Sequence, residues 1–288
     1  MINFLKYRWI YYTISFAVIA LGLFSIIRWG FIYSIDFVGG TNLQYQTSKN
    51  INQNEVKQIF EANEISLIDF EVKNNTIIVR AKTIDEKKEA QIKNDLEKKL
   101  SIKLTVLKSE TVGPVLGKEL IRKTIIASLM AVVIILLYMS FAFKGLNFAL
   151  AAVIALFHDF LVVIGSYSLL SHFFGAQVDT LFVTAVLITM SFSVHDTIVI
   201  FDKIREYKKN IGSGDIEHYA NKALTETLVR SVNNSMTIIF MLLALVLLGG
   251  ATIKFFVITL LIGTITGTYS SPFVATPVVV WLEKLRKK

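Results

Sequence analysis

Six long apolar stretches alternate with polar segments along the chain. A helix needs about 20 mostly apolar residues to span the hydrocarbon core of a bilayer. The stretches that reach this length are Trp9–Ile27, Thr124–Phe143, Phe148–Leu170, Leu181–Phe201, Leu228–Leu248 and Phe255–Leu282. The pattern predicts a polytopic α-helical membrane protein with six transmembrane helices, the first at 9–27 and the other five within 124–282.

The first and last stretches carry additional signals. Lys6 and Arg8 precede the first stretch, as basic residues do in a secretory signal peptide. Its apolar run is longer than the ~7–15 residues usual in such peptides, so we interpret it as an uncleaved anchor. Pro272 and Pro277 lie inside the last stretch, which predicts a kinked or strongly tilted helix.

The segment between the first two spans, residues 28–123, has the pattern of a small folded domain. It carries 29 charged residues in 96, whereas the other 192 residues carry 23. Its predicted strand, helix, strand, strand, helix and strand are Ser34–Thr47, Asn52–Glu64, Leu67–Lys73, Thr76–Lys82, Asp85–Leu100 and Ile102–Leu107. Asn74-Asn75 is suited to the turn between the two middle strands. This order predicts a ferredoxin-like α+β domain, without a catalytic residue pattern.

Lysine and arginine residues in the short loops predict the orientation, because cytoplasmic loops carry an excess of them. With the N-terminus inside, thirteen of these residues face the cytoplasm, and Lys254 alone faces outside in a short loop. The thirteen are Lys6, Arg8, Lys144, Lys203, Arg205, Lys208, Lys209, Lys222, Arg230, Lys284, Arg286, Lys287 and Lys288. Residues 1–8, a loop at 202–227 and a tail at 283–288 are therefore predicted to be cytoplasmic, and residues 28–123 extracytoplasmic. The net charge of +8 then follows mostly from topology.

Composition excludes several function classes. The chain has no cysteine, which excludes disulfides, thiolate zinc sites, iron–sulfur clusters and cysteine nucleophiles. It has no phosphate-binding Gly-x-x-x-x-Gly-Lys-(Ser/Thr) loop and no Ser/His/Asp arrangement in a water-facing segment. Neither a motif nor aromatic–basic interleaving supports nucleic-acid binding. We therefore expect no enzymatic chemistry, no metal site and no cofactor.

The fourth span contains a carboxylate that is costly to bury. Asp196 lies within the run Ser191-Phe192-Ser193-Val194-His195-Asp196-Thr197. By helical spacing Thr189, Ser193, Asp196 and Ile200 share one stripe, so Asp196 is expected to face protein rather than lipid. An ionisable residue inside a membrane is by default a functional candidate. Ser193 and Thr197 are its candidate supporting hydroxyls.

The fifth span begins with a second polar stripe, which contains Arg230, Asn233 or Asn234, and Thr237. Arg230 and Asp196 fall in the same half of their helices, so they can pair. Alternatively, Arg230 only extends its head group to the membrane surface.

Three further features have competing interpretations. His158-Asp159 in the third span either handles protons or forms a structural polar bridge. Asp202 is expected to belong to a charged cluster at the membrane boundary. Gly263 and Gly267 in the sixth span form a small-residue face that permits close helix packing, and we assign them no chemistry.

Several of these segments together resemble the SecF family of the bacterial protein-export accessory complex, within the resistance–nodulation–division superfamily. The resemblance covers essentially the whole chain. The segments that carry it are Asp36-Phe37-Val38-Gly39-Gly40-Thr41, Val112-Gly113-Pro114, Ala155-Leu156-Phe157-His158-Asp159, the run from Asp196 to Glu206, Arg230-Ser231-Val232-Asn233 and Gly267-Thr268-Tyr269-Ser270-Ser271.

This resemblance implies a partner, SecD, and a role at the SecYEG translocon in the bacterial cytoplasmic membrane. SecA, YajC and YidC are further candidate partners, and unfolded preproteins are the implied substrates. The proton-motive force would drive the cycle, with Asp196 as the proton-linked aspartate and Arg230 as its partner. His195, His158 and Asp159 are secondary candidates for proton coupling. Gly39, Gly40, Gly113 and Pro114 are the candidate hinges to the outside domain.

The chain departs from the family pattern at two positions. His195 stands where the family usually has asparagine, which places a titratable ring beside Asp196. Ala142 stands where the family commonly has arginine. Two other functions remain open from the residues: a proton-coupled small-molecule or lipid exporter of the same superfamily, and a translocon scaffold without proton chemistry.

Overall fold

The computed structural model describes residues 3–48, 51–73, 75–142, 145–212 and 214–286. Asn74 of the predicted turn, Phe143 of the second span, and Lys144, Lys287 and Lys288 of the cytoplasmic set lie outside them. The helices are α1 (Arg8–Trp29), α2 (Ile35–Val38), α3 (Gln53–Ala62), α4 (Glu86–Leu100), α5 (Pro114–Ala142), α6 (Leu146–Phe174), α7 (Thr180–Ile211), α8 (Ile216–Leu248), α9 (Lys254–Ser270) and α10 (Thr276–Arg286). The strands are β1 (Ile32–Tyr33), β2 (Gly40–Thr47), β3 (Leu67–Lys73), β4 (Thr76–Ala81), β5 (Leu104–Val112) and β6 (Gln177–Val178).

Six helical segments in the described part of the chain are long and apolar enough to cross a membrane. They are Phe4–Trp29, Pro114–Tyr138, Leu146–Phe174, Thr180–Asn210, Ile216–Leu248 and Lys254–Arg286. The prediction of a six-helix membrane protein is thus confirmed. The sixth segment comprises α9 and α10, and a turn of π-helix at Ser271–Ala275 interrupts it beside Pro272, where the sequence predicts a kink.

The helices extend further than the apolar stretches. The segment predicted as a cytoplasmic loop, 202–227, is largely helical, because α7 continues to Ile211 and α8 already begins at Ile216. Its cytoplasmic location stays a prediction. Charged residues such as lysine and glutamate favour helix when exposed, so leaving the apolar stretch does not end the helix. Asp215 caps α8 by accepting a hydrogen bond from the Glu217 backbone N–H at 3.1 Å.

The chain divides into two compact units, of which the smaller is Tyr33–Ile125. In this unit, strand, helix, strand, strand, helix and strand follow one another, and the strands form an antiparallel sheet in the order β3-β4-β2-β5. Alternate residues of β2 and β4 face α3 and α4, as the period-two pattern of strands requires. The resulting core contains Leu43, Tyr45, Val56, Phe60, Ile77, Val79, Ile92 and Leu96.

Close backbone packing explains the glycine pair at the start of β2. Gly39 and Gly40 have φ of 76° and 129°, which residues with a side chain rarely adopt. A Cβ atom on Gly39 would lie 2.8 Å from the Pro114 Cα, and one on Gly40 would lie 2.6 Å from the Ala81 carbonyl oxygen. Gly113 has open space around it. The pair therefore lies in tight contact, and its predicted role as a hinge stays a prediction.

The larger unit, Met1–Ile32 with Ile126–Lys288, is a helical bundle in which α1 and α6 make a close contact. A Cβ atom on Gly22 would lie only 2.7 Å from the Gly165 Cα, so the two backbones touch. Three residues later the hydroxyls of Ser25 and Ser168 are hydrogen-bonded at 2.8 Å. Because a step of three residues toward the C-terminus on α1 matches a step of three toward the C-terminus on α6, the two helices run parallel.

The contact between α7 and α9 follows the same principle. A Cβ atom on Gly263 would lie 2.2 Å from the Thr189 Cγ2, and one on Gly267 would lie 3.0 Å from the Ser193 Cα. Both contacts move four residues toward the C-terminus of their helices, so α7 and α9 run parallel. The predicted small-residue face of the sixth span therefore packs against the helix that carries Asp196.

Both ends of the described chain lie at the start of α8. The Leu5 backbone N–H donates to the Asn221 side chain at 3.2 Å, and Lys284 pairs with Glu217 one turn earlier on the same helix. Six membrane-crossing segments, an even number, place both of these ends on the same side of the bundle.

Replacing Gly22 by valine tests the contact between α1 and α6. The added side chain overlaps the Gly165 backbone, and overpacking of this kind costs about 1–3 kcal/mol. We expect the thermal midpoint of the purified protein in mild detergent to fall.

Ala20→Val is the matched control, because Ala20 is exposed on the same helix. Equal midpoints for the two variants would contradict the close contact.

Candidate functional site

A buried carboxylate lies at the centre of the bundle. Asp159 on α6 is 3% exposed, and its carboxylate accepts hydrogen bonds from the hydroxyls of Ser193 on α7 and Ser270 on α9. The His158 Nδ1 lies 2.8 Å from its other oxygen. Burying a carboxylate in an apolar medium is costly unless such groups satisfy it. Asp159 thereby ties three elements of the bundle together.

His158 extends this network to α1. Its Nε2 lies 2.9 Å from the Ser15 hydroxyl, so the ring connects Asp159 with the first membrane helix. With Nδ1–H donating to the carboxylate, the neutral ring accepts at Nε2 from Ser15. Tyr269 packs beside the ring and donates to the Tyr11 carbonyl at 2.8 Å. His158 and Asp159 are thus part of one buried network spanning α1, α6, α7 and α9.

Asp196 lies near this network on α7, in a different environment. Thr189, Ser193, Asp196 and Ile200 are all buried, as their shared helical stripe predicts. The Asp196 carboxyl lies close to the Ser231 hydroxyl of α8 and to the Arg230 charge. Thr197 turns the other way, and its hydroxyl lies 2.9 Å from that of Ser271. Asp196 thus has fewer fixed side-chain partners than Asp159.

A small cavity of about 20 Å³ adjoins Asp196. Such a volume accommodates about one water molecule, given polar partners. Its lining residues are Phe192, His195, Asp196, Asn234, Ser235, Ile238, Thr264, Gly267 and Thr268. The cavity lies between α7, α8 and α9 and supplies a place from which a water molecule can reach the carboxyl.

The polar residues predicted on α8 are exposed, although Asn234 also lines the cavity beside Asp196. Arg230, Asn233 and Asn234 are exposed, and so is His195 on α7. No ion pair within 4.0 Å joins Asp196 and Arg230, both of which belong to the described residues. The structure therefore brings Asp196 close to the Arg230 charge, but not into direct contact with the guanidinium.

Sequence reasoning missed the inward-facing polar residues of three helices. Thr227, Ser231 and Ser235 are the buried stripe of α8, and their four-residue spacing could have revealed it. Ser15 gave no such signal, and Ser270 was recognised only as part of a small-residue segment of the sixth span. Only tertiary packing brings them to His158 and Asp159. Within the described ranges, no group of three or more histidine, aspartate and glutamate side chains is arranged to hold a metal ion.

Asp159→Ala tests whether the carboxylate holds the bundle together. The change leaves the Ser193 and Ser270 hydroxyls and His158 without their acceptor, and each unsatisfied buried group costs about 1–3 kcal/mol. We expect a large fall in the thermal midpoint of the protein in mild detergent.

Asp202→Ala is the control, because Asp202 is an exposed carboxylate of α7 whose pair with Arg205 is a surface contact. If the Asp202 variant lost as much stability as the Asp159 variant, the bridging role of Asp159 would be wrong.

The fold and the site together define a multi-pass helical membrane protein that has one folded domain after its first span and a polar cluster inside its bundle. Residues 91–285 match the family described as protein export membrane protein SecD/SecF, C-terminal. Residues 25–51, which include Gly39-Gly40, match the SecD/SecF GG motif. The chain therefore belongs to the SecD/SecF family of protein-export membrane proteins.

Two curated relatives are similar over nearly their whole length. The chain is 37% identical to the protein translocase subunit SecF of Anaerolinea thermophila over 290 residues, covering 98% of this chain and 94% of the relative. It is 38% identical to the protein translocase subunit SecF of Thermobaculum terrenum over 302 residues, covering 99% and 95%.

The crystal structure of SecDF from Thermus thermophilus has the same fold. It matches with a TM-score of 0.85 at 30% sequence identity. The match covers 98% of this chain and 39% of the SecDF chain, so this chain corresponds to about two fifths of the longer protein.

Proposed function

We propose that this chain is the SecF-type subunit of a protein translocase, and that Asp196 binds and releases the proton that drives its cycle. The role in Sec-dependent protein export is supported by the family and by the names of its relatives. The proton-coupling role rests on one observation, the buried Asp196 carboxyl beside a cavity the size of a water molecule. With protons as the coupling ion, it needs no cofactor.

In this proposal the bundle lies in the bacterial cytoplasmic membrane with both termini in the cytoplasm. The thirteen-to-one distribution of loop lysine and arginine supports this orientation. The unit at Tyr33–Ile125 then lies outside, and its order of strands and helices supports the ferredoxin-like class.

SecD is the partner that this family implies. The exposed His195, Arg230, Asn233 and Asn234 support its placement beside α7 and α8, because polar side chains facing lipid are costly. In the most apolar part of α5 no residue is buried, so this part faces lipid or the same partner. SecYEG, SecA, YajC and YidC are further proposed partners, and unfolded preproteins are the proposed substrates.

Asp159 and Asp196 have different roles in this mechanism. Asp159 accepts three side-chain hydrogen bonds and acts as a fixed structural bridge. Asp196 has the Ser231 hydroxyl, an adjacent cavity and the Arg230 charge, so it can exchange a proton. Protonation removes the attraction between Asp196 and Arg230 and lets α7 and α8 move relative to each other.

The membrane potential can supply the energy for this movement. One elementary charge moving through 100 mV yields ~2.3 kcal/mol. This energy is enough to shift a two-state equilibrium by a factor of tens.

Asp196→Asn should abolish the stimulation of preprotein export by a proton gradient, because an amide does not release a proton in this range. The variant has nearly the same size and can still accept from Ser231, so we expect it to assemble normally. The measurement is export of a preprotein into membrane vesicles with and without the gradient. Co-purification of SecD in mild detergent checks assembly.

Asp202→Asn on the same helix is the matched control and should keep full stimulation. Gradient-dependent export that persists in Asp196→Asn would leave a scaffold without proton chemistry as the better account. A chain that co-purifies with neither SecD nor SecYEG would favour an independent exporter instead.

A further inference from the structure

A second cavity, of about 480 Å³, lies at one end of the helical bundle and is not explained by proton coupling. It lies where α6 begins and where α7 and α10 end. Its lining residues are Gly145, Phe148, Asp202, Arg205, Glu206, Lys208, Lys209, Glu283 and Arg286. We propose that this cavity binds the phosphate headgroup of an anionic phospholipid.

The carboxylates of the cavity already have cationic partners. Arg205 pairs with Asp202 at 3.2 Å, and Lys203 pairs with Glu206 at 3.1 Å. These pairs account for two of the three acids that line the cavity.

The third carboxylate, Glu283, is 5% exposed and has two side-chain partners. It pairs with Lys208 of α7 and accepts a hydrogen bond from the Asn147 side chain of α6 at 2.7 Å. This buried contact fixes the ends of α6, α7 and α10 around the cavity, so the cavity has a defined wall.

Two cations remain for an anionic ligand. Lys209 and Arg286 are exposed, and neither forms an ion pair within 4.0 Å with a carboxylate in the described part of the chain. Lys209 lies on α7 and Arg286 on α10, and both line the cavity. A phosphate group complements this arrangement, because arginine and lysine both bind its oxygens.

The position of the cavity selects a lipid rather than a free anion. It lies at the ends of three segments that are long and apolar enough to cross a membrane, so the proposal places it on the headgroup side of the bilayer. Leu146 beside Gly145 is 80% exposed, Leu285 beside Arg286 is 51% exposed, and Trp281 of α10 is 59% exposed. Apolar side chains thus flank the cations, and an exposed tryptophan is typical of the membrane interface. A phospholipid can contact the cations with its phosphate and the apolar side chains with its acyl chains.

The test measures lipid retention by the purified full chain. Phosphatidylglycerol or phosphatidylcholine is added to the delipidated protein in mild detergent, and bound lipid is counted by native mass spectrometry. We expect the chain to retain phosphatidylglycerol preferentially. The double variant Lys209→Gln with Arg286→Gln should lose this preference by about fivefold for each cation removed.

The control variant removes the same charge from the opposite end of the bundle. Arg28→Gln with Lys254→Gln changes two exposed cations that lie outside the cavity, and it should retain phosphatidylglycerol as the parent does. The charge-conserving variant Lys209→Arg with Arg286→Lys should also retain it. Thermal midpoints in the same detergent identify any variant that has failed to fold.

Three outcomes would overturn the proposal. Equal retention of the two lipids by the parent chain shows that the cavity does not select anionic headgroups. Equal losses in the two glutamine double variants show nonspecific attraction to charge. Displacement of phosphatidylglycerol by excess inorganic phosphate shows a site for the free anion.

Discussion

The bundle is organised around the need to give every polar side chain inside it a hydrogen-bonding partner. Hydrocarbon supplies none, so an isolated carboxylate such as Asp159 would be costly there. The hydroxyls of Ser193 and Ser270 meet this need, and His158 continues the network to Ser15. These bonds fix the helices relative to one another more specifically than apolar contact does.

Close helix packing is the condition for this network. Serine side chains are short, so they reach Asp159 only if the helices that carry them lie close together. Gly22 against Gly165 brings α1 to α6, and Gly267 against Ser193 brings α9 to α7. The close helix contacts at the glycines therefore allow the hydrogen bonds between the polar residues of the bundle.

Sequence patterns could predict the membrane helices and the order of elements in the smaller unit, because both depend on local periodicity. They could not predict which side of α8 faces inward. Arg230 and Ser231 are neighbours about 100° apart around the helix, and each begins a polar stripe of helical spacing. Only packing shows that Ser231 points inward and Arg230 outward. The helical extensions of α7 and α8 beyond their apolar stretches were missed. Charged residues there indicate contact with water, but they do not indicate where a helix ends.

The division of roles between Asp159 and Asp196 is the central claim, and infrared spectroscopy of the reconstituted protein tests it most directly. A protonated carboxyl group has a C=O stretching band that the carboxylate lacks, and isotope-labelled aspartate assigns the band. We predict that this band, which grows as the pH is lowered, contains a component that is absent from Asp196→Asn. A band that is unchanged in Asp196→Asn would contradict the account and place the exchangeable proton on another aspartate.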